Sequence, residues 1–335
     1  MNVTLYQRRP QKDNYSIERL FDDIRKSFLS GVHCRVAVSK FPSRGFFRRL
    51  YNIIEAVFHQ GDVNHVTGDI HFITYFLCKK KTILTIHDCV MLERLHGFRR
   101  FILWLLWYWL PEKRCKIITV VSHSTKNQIL DYLNCNESKV KVIHNNVSED
   151  FFYKKKAFNS IRPRILQIGT GENKNINRVI QAISGMDCCF VVIGTLNKYQ
   201  QDALSKYSVE YENYSDISRQ DILEQYHLCD MVIFASTYEG FGLPIVEANA
   251  VGRPVITSNC WSMPEVAGNA ACLVDPYNVE EIRDAVLRII DDWSYRANLI
   301  RLGLENVKRF RVGHIAEQYA ELYREVALGC DFKRF

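Results

Sequence analysis

Two glutamates eight positions apart, Glu239 and Glu247, bracket a loop that follows the apolar run ending at Phe234. Pro244 stands where a helix is expected to begin, a position at which the missing N–H of proline costs nothing. The start of that helix directs backbone N–H groups toward one point, which suits an anion such as a diphosphate. Ionised carboxylates only accept hydrogen bonds, so glutamates beside phosphates need hydroxyl donors, and a sugar and a ribose carry them. These residues therefore predict a site for a nucleotide-linked sugar.

Each glutamate taken alone also fits a plainer role, as a turn residue or as an acid that complements the positive end of the helix dipole. Two further features favour the ligand site. Gly240 and Gly242 allow the backbone to approach a ligand closely. The loop also lies at the carboxyl end of an expected strand, where ligands of open parallel sheets bind.

A second loop, Gly169-Thr170-Gly171, precedes Lys174 at the start of another expected helix. A flexible ammonium in this position can neutralise a phosphate, although a solvated surface lysine is the plainer alternative. The loop does not fit the dinucleotide-binding fingerprint, because Lys174 occupies the position where that pattern requires its third glycine.

A single histidine, His87, ends an apolar strand in the first half of the chain. An imidazole there can hydrogen-bond a sugar or a leaving group. A lone histidine is more often structural, so the residues alone leave both roles open.

The elements that must position these residues alternate between short apolar strands and helix-length amphipathic stretches. This alternation predicts parallel sheets with helices on both faces. The right-handed crossover rule then makes each half a doubly wound α/β unit. The expected strands are Val3–Tyr6, Cys34–Val38, Val63–Val66, Thr82–Ile86, Ile117–Val121, Lys141–Ile143, Ile165–Ile168, Cys189–Ile193, Val209–Tyr211, Met231–Phe234, Pro254–Thr257 and Ala271–Val274.

A polar stretch over Glu149–Pro163 separates the two halves and suits a domain boundary. We therefore expect a first domain over residues 1–150 and a second, nucleotide-sugar-binding domain over residues 151–312. A last helix in residues 313–335 is expected to pack back on the first domain.

The composition fits two ordinary domains, since 47% of the 335 residues are hydrophobic. The net charge of +7 favours an anionic partner, and no basic run with interleaved aromatics indicates nucleic acid. The first residues run straight into a strand pattern without the features of a signal peptide. The eleven cysteines are therefore expected to stay reduced in a cytoplasmic protein. No spacing typical of metal ligands occurs, and no metal is expected.

The most hydrophobic stretch, Phe101–Leu110, is too short to span a bilayer, which takes about 20 residues. Its basic flanks, which extend the segment to Arg99–Arg114, suit an in-plane contact with the inner face of the cell membrane. The alternative, a helix buried against the sheet with one wet edge, is favoured because interfacial helices are the rarer use of such runs.

The segment from Phe234 to Ala248 resembles the Glu-x7-Glu motif of retaining glycosyltransferases of family 4. Their GT-B fold consists of two facing Rossmann-like domains with a cleft between them. The resemblance continues through residues 250–256 and 263–266 and, more loosely, through Thr85-Ile86-His87-Asp88 and residues 142–147. It implies transfer of a sugar from a nucleotide-diphosphate sugar to an acceptor hydroxyl, with retention and without a metal or other cofactor. The acceptor it implies is a glycan or a lipid-linked carrier in surface polysaccharide or glycolipid synthesis.

Carried over residue by residue, the resemblance implies catalytic and donor-binding roles. Glu239 matches the glutamate that contacts hydroxyls of the donor sugar, and Glu247 matches the glutamate that binds the ribose. Lys174 matches the cation on the donor diphosphate, and His87 matches a histidine near the donor phosphate. The remaining donor-binding positions lie in neighbouring loops: Gly169, Thr170, Tyr214, Ser215, Gly240, Phe241, Gly242 and Leu243.

Two departures from the family pattern affect these expectations. Many members carry a glycine-rich loop after the first strand, whereas this chain has no glycine over residues 7–16. Arg8, Arg9 and Lys12 in that loop could meet an anionic acceptor or simply be solvated. Thr170 stands where many members place an arginine, so Lys174 has less help on the diphosphate unless Arg178 supplies it.

Two other functions stay open on the sequence alone. One is a catalytically silent nucleotide-sugar-binding protein, and the other is a nucleotide-sugar epimerase or a phosphorylase of the same fold. An epimerase would isomerise the donor sugar without any acceptor, whereas a silent protein would bind the donor without turnover.

Overall fold

The structure is a computed structural model that describes residues 1–10, 16–28 and 31–331. It forms two compact units. The first unit consists of Met1–Asn146 together with the chain from Val312 onward, and the second consists of Val147–Arg311.

The sheet of the first unit has six strands in the order β2-β1-β3-β4-β5-β6. All neighbouring strands are parallel. Because helices cover both faces of such a sheet, three of its strands, Val63–Val66, Thr82–Ile86 and Ile117–Val120, are buried at every position rather than alternately. The strands are β1 (Asn2–Gln7), β2 (His33–Val38), β3 (Val63–Val66), β4 (Thr82–Ile86), β5 (Ile117–Val120) and β6 (Val140–Val142).

The α-helices before the second unit connect these strands. They are α1 (Ser16–Lys26), α2 (Phe46–Val57), α3 (Val90–Arg94), α4 (Gly97–Leu103), α5 (Leu110–Arg114) and α6 (His123–Leu133). A turn of π-helix, Trp104–Trp109, joins α4 to α5. Ser122 caps α6, since its side chain accepts a hydrogen bond from the Thr125 amide.

The sheet of the second unit also has six parallel strands, in the order β12-β11-β10-β7-β8-β9. Read from the other edge, this order is the Rossmann order, in which the chain turns outward twice from its first strand and then returns to build the other side. The strands are β7 (Arg164–Ile168), β8 (Cys189–Ile193), β9 (Tyr211–Tyr214), β10 (Met231–Phe234), β11 (Val255–Ser258) and β12 (Cys272–Val274).

Helices of the second unit contribute residues such as Val179 and Val286 to one apolar cluster with the strands. They are α7 (Ile176–Ile183), α8 (Lys198–Lys206), α9 (Arg219–Leu228), α10 (Leu243–Val251), α11 (Met263–Ala267), α12 (Val279–Asp291) and α13 (Trp293–Asn306). Capping boxes at Asn197 and Ser218 fix the starts of α8 and α9.

The last helix, α14 (Val312–Asp331), belongs to the first unit. It packs with β1 and α1 in one apolar cluster of that unit. Within that cluster the buried His65 imidazole contacts the Tyr323 hydroxyl at 2.7 Å through Nδ1 and the Thr85 hydroxyl at 2.6 Å through Nε2. Burial lowers the pKa of His65 to about 3, so the ring is neutral at ordinary pH.

The expected strands coincide with the observed ones to within a residue at each end, with one exception. The ninth was expected at Val209–Tyr211, but β9 begins only at Tyr211 and pairs with β8 through Phe190↔Tyr211 and Ile193↔Tyr214. The expectation was wrong because β9 is an edge strand with polar, exposed residues, which lack the apolar signal used to place a strand.

The tryptophan-rich segment is held against the first unit rather than displayed on its surface. Trp104 donates its indole N–H to the Tyr132 carbonyl at 2.8 Å, and Trp107 donates to the Asp69 carbonyl at 3.0 Å. Its N-terminal end is different, since Phe98 and Phe101 of α4 are exposed. No helix in the described part of the chain combines the length and the apolar character needed to cross a membrane.

Candidate functional site

The candidate site lies in the second unit, at the point where its strand order reverses. The chain leaves β7 for β8 on one side and later returns to β10 on the other, so β7 and β10 are neighbours. Loops after two such strands diverge and open a crevice at the carboxyl edge of the sheet, which is where ligands of doubly wound folds bind. Lys174 lies in the segment that follows β7, and Glu239 lies in the loop that follows β10.

These two predicted residues are in direct contact. The Lys174 ammonium lies 2.6 Å from Oε1 of Glu239, and the side chains keep 21% and 14% of their accessible surface. The same ammonium lies 4.5 Å from the centroid of the Phe234 ring, a cation–π distance. The charges of both residues are thus concentrated at one partly exposed point.

Asn173 completes this cluster and was missed by the sequence interpretation. Its side-chain amide donates to Oε1 of Glu239 at 3.1 Å and to the Tyr238 carbonyl at 3.0 Å. Its own carbonyl accepts from the Thr237 amide at 2.8 Å. A polar residue beside Lys174 in a glycine-bearing turn was the available signal, but only the fold shows that it reaches the β10 loop.

Hydrogen bonds from Ser262 fix the loop between Glu239 and α10. The Ser262 hydroxyl donates to the carbonyls of Glu239 and Phe241, each at 2.9 Å. Gly242 precedes the helix with a φ of +103°, a conformation that side-chain-bearing residues rarely adopt. Pro244 is in the first turn of α10, as predicted, and Leu243 begins the helix. The Phe241 ring packs edge-on against Phe310, which anchors the side chain of this loop residue.

Glu247 lies one turn into α10 and contacts a buried tyrosine. The Tyr226 hydroxyl donates to Oε2 of Glu247 at 2.5 Å. Burial raises the pKa of Glu247, and the hydrogen bond from Tyr226 opposes that rise by favouring the ionised carboxylate. Tyr226 was not identified from the sequence, because a tyrosine in a helix reads as ordinary core.

The loop after β7 is packed closely against the loop after β8. The Thr170 carbonyl accepts from the Gln200 side chain at 2.8 Å. A Cβ on Gly194 would lie 2.9 Å from Cγ2 of Thr170, and Gly194 has a φ of +128°, so only glycine fits there. Gly169 lies in this loop as expected, and a Cβ on it would press against the Lys174 side chain at 3.0 Å.

Two further predicted donor residues lie at the far side of the same edge. Tyr214 ends β9 and donates its hydroxyl to Glu212 at 2.7 Å, while the next residue, Ser215, is exposed. Arg178, the suggested helper of Lys174, donates instead to Asn175 at 2.9 Å and stacks over Tyr277. The structure thus gathers the lysine and the glutamates at the β7–β10 crevice and leaves Tyr214 and Ser215 two strands away.

His87 belongs to the first unit, where it follows β4. Its Nε2 lies 2.8 Å from the Thr67 carbonyl, which fixes that nitrogen as the donor. Burial lowers the pKa of His87 more than this hydrogen bond and the nearby Asp88 raise it, so the ring is neutral at pH 7.

The remaining expectations concern metals, cysteines and the loop after β1. Among the described residues, no group of three or more His, Cys, Asp or Glu is placed to hold a metal ion, and the ten cysteines whose side chains the structure describes are free. Arg8 is buried and bonded to Glu18, whereas Arg9 is exposed and donates to the Lys40 carbonyl. Lys12, also named as an acceptor contact, lies outside the described residues.

Two family models match this chain, one for each half. Residues 148–305 match the model described as Glycosyl transferases group 1, and residues 42–151 match the model described as Glycosyltransferase Family 4. Both halves of the chain are thus similar to glycosyltransferase domains.

Named relatives act on bacterial surface polysaccharides. O-antigen chain mannosyltransferase B of Escherichia coli is 36% identical over 105 residues, which cover 31% of this chain and 28% of that protein. Serotype-specific mannosyltransferase WbdA of E. coli is 27% identical over 69% of this chain but only 32% of its own length. The chain therefore spans about a third of these relatives. O-antigen chain mannosyltransferase RfbU of Salmonella typhimurium is 27% identical over 72% of this chain and 70% of that protein.

Solved structures share the fold over nearly the whole chain. Anabaena HepE, crystallised with UDP-glucose, matches with a TM-score of 0.78 at 16% identity, covering 97% of this chain and 100% of that one. Sucrose-phosphate synthase of Thermosynechococcus elongatus matches with a TM-score of 0.80 at 15% identity, covering 97% and 98%. At such low identities these matches establish the GT-B fold and not the substrate.

Proposed function

We propose that this protein is a retaining glycosyltransferase that moves a sugar from a nucleotide-diphosphate sugar to an acceptor hydroxyl in surface polysaccharide synthesis. One observation carries the proposal. Lys174, Asn173 and Glu239 meet at the β7–β10 crevice. Glu239 precedes the start of α10, and Glu247 lies one turn into that helix. A cation, an anion-binding helix start and two hydroxyl-accepting acids are the groups that a diphosphate joining a sugar to a ribose requires.

In this proposal the donor replaces the present partner of each charged group. The diphosphate binds the Lys174 ammonium. Sugar hydroxyls then replace that ammonium as hydrogen-bond donors to the Glu239 carboxylate. As the bond to the diphosphate breaks, negative charge grows on the leaving oxygens. Lys174 and the amides at the start of α10 stabilise that charge in an environment already arranged for it. Asn173 keeps Glu239 in position while the lysine is engaged.

Glu247 and the first unit complete the proposed reaction. The ionised Glu247 accepts from the ribose hydroxyls, with Tyr226 holding its other contact. His87, neutral and donating through Nε2 to the Thr67 carbonyl, is the candidate to accept a hydrogen bond from a sugar hydroxyl through Nδ1. Retention and independence from metal rest on the family resemblance, and no carboxylate is assigned as a covalent nucleophile.

The named relatives supply the first substrates to test. Three of them are mannosyltransferases of O-antigen or serotype-specific polysaccharides, which favours a mannosyl donor and a lipid-linked or glycan acceptor. HepE binds UDP-glucose within the same fold, so glucose is the second candidate sugar. The acceptor places the reaction at the cytoplasmic face of a membrane, and Arg99–Arg114 remains the proposed contact. The exposed part of this segment is its α4 end, since Trp104 donates its indole N–H to the Tyr132 carbonyl.

A donor panel tests this function. The protein is incubated with nucleoside diphosphate mannoses and glucoses, and binding is followed as a rise in melting temperature, since a ligand of the native state stabilises it. Transfer is then measured with the donor that binds. Glu239→Ala should abolish donor stabilisation and lower transfer by at least about a hundredfold. Glu224→Ala, an exposed acid on α9, is the matched control.

Three outcomes would contradict the proposal. Unchanged transfer by Glu239→Ala would remove the site assignment. Isomerisation of the donor sugar without an acceptor would identify an epimerase. Saturable donor binding without turnover against any acceptor would identify a silent binding protein.

A further inference from the structure

Helix α2 carries its apolar residues on the outward face, which is the reverse of an ordinary surface helix. A helix that packs on a globular core turns its apolar stripe inward. The face of α2 that packs on the first unit carries Asn52, Ile53 and Ala56. Phe46 and Phe47 are 73% and 82% exposed, and Phe58, just after the helix, is 80% exposed.

The exposed apolar residues of this segment form one continuous stripe. At 100° per residue they fall within an arc of about 140°. They are Phe46, Phe47, Leu50, Tyr51, Ile54 and Phe58. A contiguous apolar patch of this kind on a folded unit marks an interaction site rather than scattered surface chemistry. Among themselves, Phe46 and Phe47 make an edge-to-face ring contact at 5.5 Å.

Basic residues accompany this stripe in the same segment. The segment 40–58 contains Lys40, Arg44, Arg48 and Arg49 against a single acid, Glu55. The Lys40 ammonium lies 5.2 Å from the Tyr51 ring centroid and 3.3 Å from its hydroxyl, so a cation borders the stripe directly. Glu55 is turned to the backbone, where it accepts from the Lys40 amide at 3.2 Å.

We propose that the outward face of α2 is a docking surface for an anionic lipid bilayer. Phenylalanines on one face with lysine and arginine beside them are the composition of helices that lie in the membrane interface. The apolar rings enter the acyl boundary while the cations meet lipid phosphates. A bilayer has no fixed shape to match, so a helix needs only one apolar face with basic margins to bind it. The inference goes beyond the transfer reaction, because it does not depend on which sugar is moved.

Vesicle co-sedimentation tests the surface with the full chain. Vesicles containing phosphatidylglycerol should retain the protein, and pure phosphatidylcholine vesicles should retain it at least about tenfold less. Phe46→Ser/Phe47→Ser should weaken partitioning to phosphatidylglycerol vesicles by about tenfold or more. Lys40→Glu/Arg48→Glu should remove the preference for the anionic lipid, and added salt should mimic it.

A matched control separates this face from exposed apolar side chains in general. Ile161 and Tyr199 in the second unit are 82% and 81% exposed, so Ile161→Ser/Tyr199→Ser deletes as much exposed surface elsewhere. This control should bind vesicles like the unchanged protein. The altered positions on α2 are solvent-facing, so melting temperatures should stay within a few degrees in all variants.

The results that overturn the inference are distinct from failure of the proposed function. Equal vesicle binding by Phe46→Ser/Phe47→Ser and the unchanged protein would exclude α2, and loss only in Phe98→Ser/Phe101→Ser would assign the contact to α4. A dimer in light scattering that Phe46→Ser/Phe47→Ser converts to monomer would show a second copy as the occupant. Transfer to a water-soluble acceptor should survive in this variant. If the unchanged protein showed no transfer to any acceptor, that result would count against the proposed transferase function and not against the α2 docking surface.

Discussion

Both units have a strand-order reversal, and the polar groups gathered there differ. In the first unit β1 and β3 are neighbours, and Arg8 follows β1. Arg8 is 6% exposed and donates to Glu18 at 2.7 Å and to Asp69 at 3.3 Å. In the second unit Lys174 and Glu239 meet after β7 and β10, and the lysine keeps 21% of its accessible surface against 6% for Arg8. One topological rule selects both places, whereas the burial and pairing of the side chains decide what each can do.

In both places burial disfavours the charged form, but the residues affected differ. Neutral histidines with lowered pKa values, His65 and His87, characterise the first unit. A glutamate with a raised pKa, Glu247, characterises the second. In the second unit the hydrogen bond from Tyr226 opposes the effect of burial and favours the ionised Glu247 carboxylate.

The largest expected effect separates the two reversal points by activity. Lys174→Met removes the cation proposed to stabilise the leaving diphosphate, so kcat/KM for transfer should fall by about 10²–10³-fold. Initial rates at subsaturating donor measure this change. Lys206→Met, an exposed lysine of the same unit, is the control and should be near neutral. Similar losses in both variants would show that net charge, and not the β7–β10 crevice, matters.

Arg8→Met should act on stability instead. It leaves Glu18, whose side chain is 12% exposed, without its cation. Breaking a buried pair in this way destabilises by about 3 kcal/mol, toward the low end because Asp69 is largely solvated. Urea unfolding measures it, with Arg9→Met as the neighbouring control. If Arg8→Met removed transfer while leaving unfolding unchanged, the contrast between the two reversal points would be wrong.

Tyr226→Phe should sharpen the assignment of Glu247. Losing a hydrogen bond to a charged group should raise KM for the donor by about tenfold with kcat little changed. A 2′-deoxyribose donor should show a smaller difference between Tyr226→Phe and the unchanged protein. Tyr199→Phe, an exposed position, is the control.

The pH profile distinguishes positioning by Tyr226 from packing. Burial raises the pKa of Glu247, so donor affinity should fall as pH drops through that raised value. Tyr226 favours the ionised form, so Tyr226→Phe should move this fall to higher pH. A weaker but unshifted profile would mean that the hydroxyl only fills space.

The last expected effect is the pH dependence of stability in the first unit. The pKa of His65 is depressed from the usual 6.5 to about 3. Between these two values His65 is protonated in the unfolded chain and neutral in the folded chain. The stability is fully present above about pH 6.5 and is lost as pH falls toward 3. His65→Gln should reduce the fall of the unfolding free energy with decreasing pH by about 1.4 kcal/mol per pH unit. His96→Gln, an exposed histidine, should leave the slope of urea-derived stability unchanged.

The sequence by itself determined all but one of the strands and the helix start after Phe234. Apolar runs such as Met231–Phe234 predict buried parallel strands because such strands lie between two layers of helices. The glycines and proline after Phe234 predict the turn and the helix start, since they act through local backbone geometry. The polar edge strand β9 was misplaced because its pairing, and not its own apolar pattern, defines it.

Only the tertiary structure decided which side chains meet. Asn173 and Glu239 are 66 positions apart, and Tyr226 and Glu247 are 21 apart, so no local pattern links them. The outward turn of α2 was equally hidden, because periodicity places apolar residues on one face without saying which way that face points. Local sequence fixes backbone conformation through short-range sterics, whereas the partners of a side chain depend on strand order and packing across the whole unit.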